Sequence, residues 1–288
     1  MANFQDTAKG GLKQARWHIR RARVALQWGL GALGSTPSVL GNAMPKSGSH
    51  LLSQILVGLT QIGPFVNPGF PPVNRSESNI ALSDEEVLSN LQRMRPGDIR
   101  YGYLHSREPY LTAVKSPGRA TVFLYRDPRD MLVSHVFFAT EMRTGHGMHR
   151  YYTEVLDNME DRLNAAIEGV RQPGHELSSV RKRYDDYLGW LDHPDVLSLR
   201  FEDLVVDRQM ALERILTYLV CRGFVCSTPL VEAIEVLDRA VAPEKSGTFR
   251  KGEAGEWREH FSEENKERFK LVAGDLLIRL GYESDDDW

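Results

Sequence analysis

Cysteine is nearly absent from this chain of 288 residues: Cys221 and Cys226 are the only two. Two thiols make no disulfide framework, and their C-x4-C spacing has no companion His or Cys pair nearby to complete a zinc site. They read as reduced thiols in or near a core, which suits a cytoplasmic protein. No run of 18 apolar residues occurs, so a membrane-spanning helix is not expected. A surplus of either charge is missing too. The 36 Lys and Arg nearly balance the 39 Asp and Glu, for a net charge of −3, which gives no global signature of nucleic-acid binding. Internal repeats, low-complexity segments and linkers are also lacking.

What is present is an average globular composition, 41% hydrophobic and 26% charged, on a chain long enough to bury a full core. From residue 39 onward apolar β-type runs alternate with helical patterns. Val39–Met44, Ile99–Leu104, Thr121–Tyr125 and Val196–Phe201 read as strands. Helices are expected over Leu51–Thr60, after the capping box Ser83-Asp84-Glu85-Glu86, through most of Pro128–Trp190, over Leu204–Val220, after Pro229, and from about Ser262 to Leu280. Strands separated by helices imply parallel pairing with helices on both faces, hence one α/β domain over 39–282. Residues 283–288 form a short acidic tail.

The first 38 residues differ. Lys9, Lys13, Arg16, Arg20, Arg21 and Arg23 precede an apolar stretch, Val24–Leu33, that Gln27, Gly29 and Gly31 interrupt, unlike the core of a secretory signal. At helical spacing Leu12, Ala15, Ile19, Ala22, Leu26 and Leu33 share one face, with the arginines largely elsewhere. The first reading is a basic amphipathic helix packed on its own domain. The second is a helix lying on an anionic membrane surface.

Three short segments carry chemistry. Pro45-Lys46-Ser47-Gly48-Ser49-His50 lies where a strand ends and a helix starts. Backbone N–H groups, the positive helix end, Lys46 and two hydroxyls can there bind a phosphate, although an ordinary turn with a surface lysine has the same residues. The loop lacks the Lys-Ser/Thr that follows the second glycine of a Walker loop. Arg126 leaves a buried strand at the carboxyl edge of the sheet, and Ser134, eight residues on, falls in the first turns of the next helix. Together they suit a second phosphate, or else Arg126 bridges to Asp127 or Asp130. Thr248-Phe249-Arg250-Lys251-Gly252, with Gly255 and Trp257, suits a loop whose backbone approaches an anion.

Taken together these segments resemble the sulfotransferases that use 3′-phosphoadenosine 5′-phosphosulfate (PAPS), most closely the soluble type, over about residues 39–282. The resemblance implies a fold like that of the P-loop nucleotide kinases. Lys46, Ser47, Gly48, Ser49 and His50 would then form the 5′-phosphosulfate loop. Arg126, Ser134, Arg250, Lys251 and Gly252 would hold the 3′-phosphate, and Phe201, in Phe201-Glu202-Asp203, would touch adenine. His105, in Tyr103-Leu104-His105-Ser106, takes the place of the family's catalytic base, with Glu108 in reserve. Lys46 would stabilise the leaving phosphate. PAPS is the implied co-substrate, PAP (its desulfated 3′,5′-bisphosphate) the product, and no metal is expected. The partner would be a small-molecule hydroxyl or amine, framed by the 65–79 and 137–152 segments, and a homodimer is open. Leu51 stands where soluble members carry a tryptophan that stacks on adenine, Tyr103 where they carry lysine, and His50 where they carry threonine. The rival readings are a phosphoryl-transfer enzyme and a nucleotide-binding module without catalysis.

Overall fold

The computed structural model describes residues 4–288 except 246, 248 and 249, with side chains from residue 10 onward; Thr248 and Phe249 of the third segment therefore lie outside the described residues. Helix α1 (Phe4–Trp28) runs to Gly29, whose φ of 92° turns the chain into α2 (Leu30–Ser35). Then come β1 (Ser38–Ala43), α3 (Ser49–Gly58), α4 (Asp84–Gln92), β2 (Ile99–Gly102), α5 (Tyr110–Val114), β3 (Arg119–Tyr125) and α6 (Pro128–Phe137). The middle of the chain holds α7 (Met159–Glu168), the antiparallel pair β4 (Val170–Gln172) and β5 (His175–Leu177), and α8 (Val180–Asp185). The remainder is β6 (Val196–Arg200), α9 (Phe201–Val206), α10 (Arg208–Cys221), α11 (Leu230–Arg239), α12 (Trp257–His260), α13 (Glu263–Ala273) and α14 (Leu276–Leu280).

The four long-range strands pair in parallel in the order β2-β1-β3-β6. Every residue of β1 and β3 is buried, as a parallel sheet covered on both faces requires. Alternation along the strands feeds two cores. Leu40, Phe123 and Tyr125 join the side closed by α4 to α8, α13 and α14. Val39, Ala43, Val122 and Leu124 join the side closed by α3, α10 and α11. Because β1 lies between β2 and β3, the chain leaves β1 and β3 toward opposite flanks. The crevice at their carboxyl ends is where ligands bind in open α/β sheets.

Several expectations need correction. The helical reading of 128–190 missed the β4–β5 pair, which Gly169 and Gly174, both at positive φ, allow. The helix expected to start at Leu204 starts at Phe201 and breaks at Asp207, whose side chain accepts from Met210 N and caps α10. The last helix breaks at Gly274 before α14 ends at left-handed Gly281. In the acidic tail, Glu283 pairs with Arg129, and the Trp288 ring meets Trp257 and Phe269.

Helix α1 packs on its own domain, but not by its apolar stripe. Trp17 is the buried residue, its Nε1 donating to Asp98 Oδ1 at 2.9 Å, and Arg21 Nη1 reaches the same oxygen at 2.8 Å. Asp98 Oδ2 accepts from Arg95 N at 2.9 Å. Lys13 pairs with Glu77, while Leu12, Ile19 and Leu26 face solvent and only Leu33 is buried. Asp98→Ala leaves the buried Trp17 N–H and Arg95 N without their acceptor and Arg21 with Pro96 O alone, which should lower stability by about 1–3 kcal/mol. Urea denaturation checks this; an unchanged midpoint would show that Asp98 does not anchor the helix.

Candidate active site

The loop after β1 is tied to β3 by Met44 N donating to Leu124 O, 3.0 Å away. Lys46 then takes a left-handed φ of 66°, a conformation that costs a residue with a side chain about 1–3 kcal/mol and persists where its surroundings enforce it. Gly48 follows at φ 88°, and a Cβ there would stand 2.5 Å from the Phe201 ring, so no side chain fits. Helix α3 opens immediately afterwards, with Ser49 and the exposed His50 in its first turn. Ser49 Oγ bonds Tyr103 Oη at 3.1 Å, which links the loop to the segment that carries His105.

Arg126 is buried one residue beyond β3. Its Nη2 donates to Glu253 O at 2.8 Å, its guanidinium stacks 4.4 Å from the Phe201 ring centre, and Asp130 lies 3.7 Å away. Asp127 pairs with Arg129 instead. Asp130 also pins the C-terminal loop beside α6, because its two oxygens accept from Gly255 N at 2.7 Å and Trp257 N at 2.9 Å. Ser134 is half-buried on α6. Arg250 stacks on Phe137, 4.2 Å from its ring centre, and pairs with Glu256. Lys251 reaches the same carboxylate and Glu259, both at 3.3 Å, and Gly252 turns the loop at φ 70°.

The loop lysine shows what this arrangement does. Lys46 Nζ sits 3.8 Å from the Phe138 ring centre. Burial, then Arg126, then Arg250 lower its pKa to about 8. The neighbouring His50, its ring only partly covered, is held below its ordinary value first by that partial desolvation and then by Lys46. Cations from three separate segments thus converge on one spot. Two polar atoms in the cradle, Ser47 Oγ and Arg126 Nε, are buried with no partner among the described residues. These cations and unpartnered polar atoms suit an anionic ligand. Glu256, Glu259 and His260 lie close enough together to surround a cation, but Arg250 and Lys251 already neutralise the two carboxylates.

A family model described as "Sulfotransferase domain" matches residues 37–281. The chain belongs to the sulfotransferase domain family. The 3-alpha-hydroxysteroid sulfotransferase of Cavia porcellus is 27% identical over 168 residues, covering 52% of this chain and 53% of that one, so the chain spans about half the length of that relative. Cytosolic sulfotransferase 6 of Arabidopsis thaliana is 23% identical over 256 residues, 74% of either chain. Mouse sulfotransferase SULT7A1 complexed with PAP has a TM-score of 0.58 at 18% identity, covering 88% of this chain and 90% of that one. Retinol dehydratase in complex with androsterone and inactive cofactor PAP has a TM-score of 0.57 at 17% identity, covering 85% and 83%. These superpositions show a shared fold.

In this sulfotransferase-family chain His105 lies two residues past Tyr103, whose hydroxyl bonds Ser49 of the loop. It is exposed at the end of a clamped segment, its ring edge-on to Tyr187 at 5.0 Å. Its pKa is lowered by partial burial against the opposing pull of Asp186. Glu108 Oε2 accepts from Thr112 N and so serves α5. The residues that position His105 were not singled out in the sequence. Asn42, fully buried on β1, exchanges two hydrogen bonds with the Leu104 backbone, and Asn74 does the same with Tyr103. Trp190 Nε1 adds a third bond to Leu104 O. Of the segments expected to frame an acceptor pocket, 137–152 brings Phe138 to Lys46, whereas Phe65 is core, packed on Phe224.

A donor phosphate beside Lys46 would raise that lysine's pKa again, so the protonated form binds PAP more tightly. Affinity should be highest below pH 8 and fall as pH rises through about 8, by at most about tenfold per unit. Calorimetric titration of PAP from neutral to alkaline pH reads this directly. Lys46→Arg should flatten the curve, and an equally steep curve for that variant would place the titration elsewhere.

Proposed function

We propose that this protein transfers the sulfuryl group of PAPS to a hydroxyl or amine of a small-molecule acceptor. The observation that carries the reading is the meeting of Lys46, Arg126 and Arg250 at the carboxyl end of β1 and β3, where burial, with the two arginines adding to it, lowers Lys46 to about 8. Ser47, Gly48, Ser49 and His50 with Lys46 take the 5′ end of the donor. Arg126, Ser134, Arg250, Lys251 and Gly252 take its 3′-phosphate, in competition with Glu256. Phe201, buried beneath Gly48 and Arg126, supports both sides of the cradle and offers the adenine an edge.

The acceptor oxygen attacks sulfur, the bond from sulfur to the bridging phosphate oxygen breaks in line, and PAP leaves with that electron pair. Lys46 and the N–H groups at the start of α3 stabilise the growing negative charge. His105, held below its ordinary pKa and so neutral at pH 7, takes the acceptor proton. Holding the donor at both phosphates fixes where sulfur points, which is the positional part of the rate gain. The aromatic ring of Phe138 beside Lys46, and a relative named for hydroxysteroids, support an apolar alcohol as the first acceptor to screen. No helix among the described residues is long and apolar enough to cross a membrane.

Turnover with labelled PAPS and an alcohol acceptor tests the scheme. His105→Ala should lose about 10²–10⁴ in turnover while PAP affinity stays within a few-fold of wild type, and wild-type activity should fall as pH drops through the histidine's lowered pKa. Near-full turnover in His105→Ala would remove it as the base and make Glu108→Ala the next variant.

A further inference from the structure

We propose that the outward face of α1 docks on an anionic membrane surface. The helix is fixed to the domain along one line, with Trp17 and Arg21 on Asp98 and Lys13 on Glu77. At 100° per residue, Leu12, Ile19 and Leu26, seven apart, lie on the far side of the cylinder from Trp17 and Arg21. They are 62%, 53% and 88% exposed, and Leu30, just past the turn at Gly29, is 79% exposed. Ala15 and Ala22 fill the stripe between them and are exposed as well. Among the described residues nothing covers these apolar side chains.

The charge beside the stripe says what does cover it. Lys13 and Arg21 are committed to Glu77 and Asp98 and Arg20 donates to Asn67 O, whereas Arg16 and Arg23 are exposed along one flank of the stripe. Over residues 4–28 there are six cations and one acid, Asp6; that local +5 sits on a chain of net −3, leaving −8 for everything else. An apolar stripe edged by arginines lies in the plane of an interface. The leucines enter the headgroup boundary, and the arginine stems bend back to meet anionic headgroups. A second copy of α1 is the poorer occupant. The seven-residue spacing suits a helix pair, but each partner would bring its own arginine flank, and like charges would face each other. The helix also touches the 67–77 segment, through Arg20 on Asn67 O, Trp17 on Phe70 and Lys13 on Glu77. Docking would therefore hold that edge of the domain at the surface.

Co-sedimentation of the full chain with vesicles of phosphatidylcholine, with and without phosphatidylserine, tests this without any donor or acceptor, so its outcome is independent of the proposed activity. Wild type should pellet with the phosphatidylserine vesicles only. Arg16→Gln with Arg23→Gln should bind roughly 30-fold more weakly, and Leu12→Gln with Ile19→Gln and Leu26→Gln should abolish binding. All five side chains are outside the packed face, so both variants should keep the wild-type melting temperature. The proposal is overturned if wild type ignores phosphatidylserine or if the triple variant binds as well as wild type. It is equally overturned if light scattering finds a dimer that the triple variant breaks while vesicle binding is absent.

Discussion

Keeping three cations, Lys46, Arg126 and Arg250, together and largely out of water is the constraint around which the carboxyl edge of the sheet is built. Each cation has its own device for staying there. Lys46 is held by a left-handed backbone and the face of Phe138. Arg126 is held by Phe201 and a backbone carbonyl, with Asp130 nearby, and Arg250 by Phe137 and Glu256. None of these devices neutralises the lysine, whose pKa burial lowers to about 8 with help from the two arginines. A dianion arriving here would offset both the burial of these cations and their mutual repulsion.

Carboxylates in this region have structural roles that the charge count conceals. Asp130 accepts from two backbone N–H groups of the C-terminal loop, so a loop far along the chain is registered against α6. Glu256 is held by Arg250 and Lys251 and, although burial alone would raise its pKa, the two cations bring it to about 2. It therefore remains charged and keeps both cations oriented. The segment before His105 is organised differently, by neutral amides. Asn42 and Asn74 clamp successive residues just before His105, and the Ser49–Tyr103 bond joins that clamp to the phosphate loop. The hydroxyl of Tyr103 thereby supplies a tether at a position where soluble relatives are expected to place a charge.

Much of this is legible in the chain itself. Nearly continuous apolar runs mark β1 and β3, because strands buried on both faces leave no alternation to hide behind. Lys46 and Arg126 stand out because each follows such a run at the sheet edge, and Ser134 because it lies two turns into the helix after Arg126. What stays hidden depends on long-range pairing. Nothing local distinguishes Asn42, in the middle of an apolar strand, from a polar defect, and its value emerges only when Leu104 comes alongside. The β4–β5 pair is too short to impose a period against strong helical neighbours. On α1 the periodic stripe does form one face, but a single tryptophan and one buried aspartate determine which side packs, and that contact joins residues 17 and 98.

The central claim is that Arg126 belongs to a 3′-phosphate site and Lys46 to a 5′ site within one cradle. Calorimetric titration of PAP and of adenosine 5′-phosphosulfate, which lacks the 3′-phosphate, into wild type and Arg126→Ala tests it most directly. A lost charge-assisted contact is worth about 1.5–3 kcal/mol, so PAP should bind Arg126→Ala roughly 10- to 150-fold more weakly while the 3′-unphosphorylated ligand changes little. Equal losses for the two ligands would contradict the assignment.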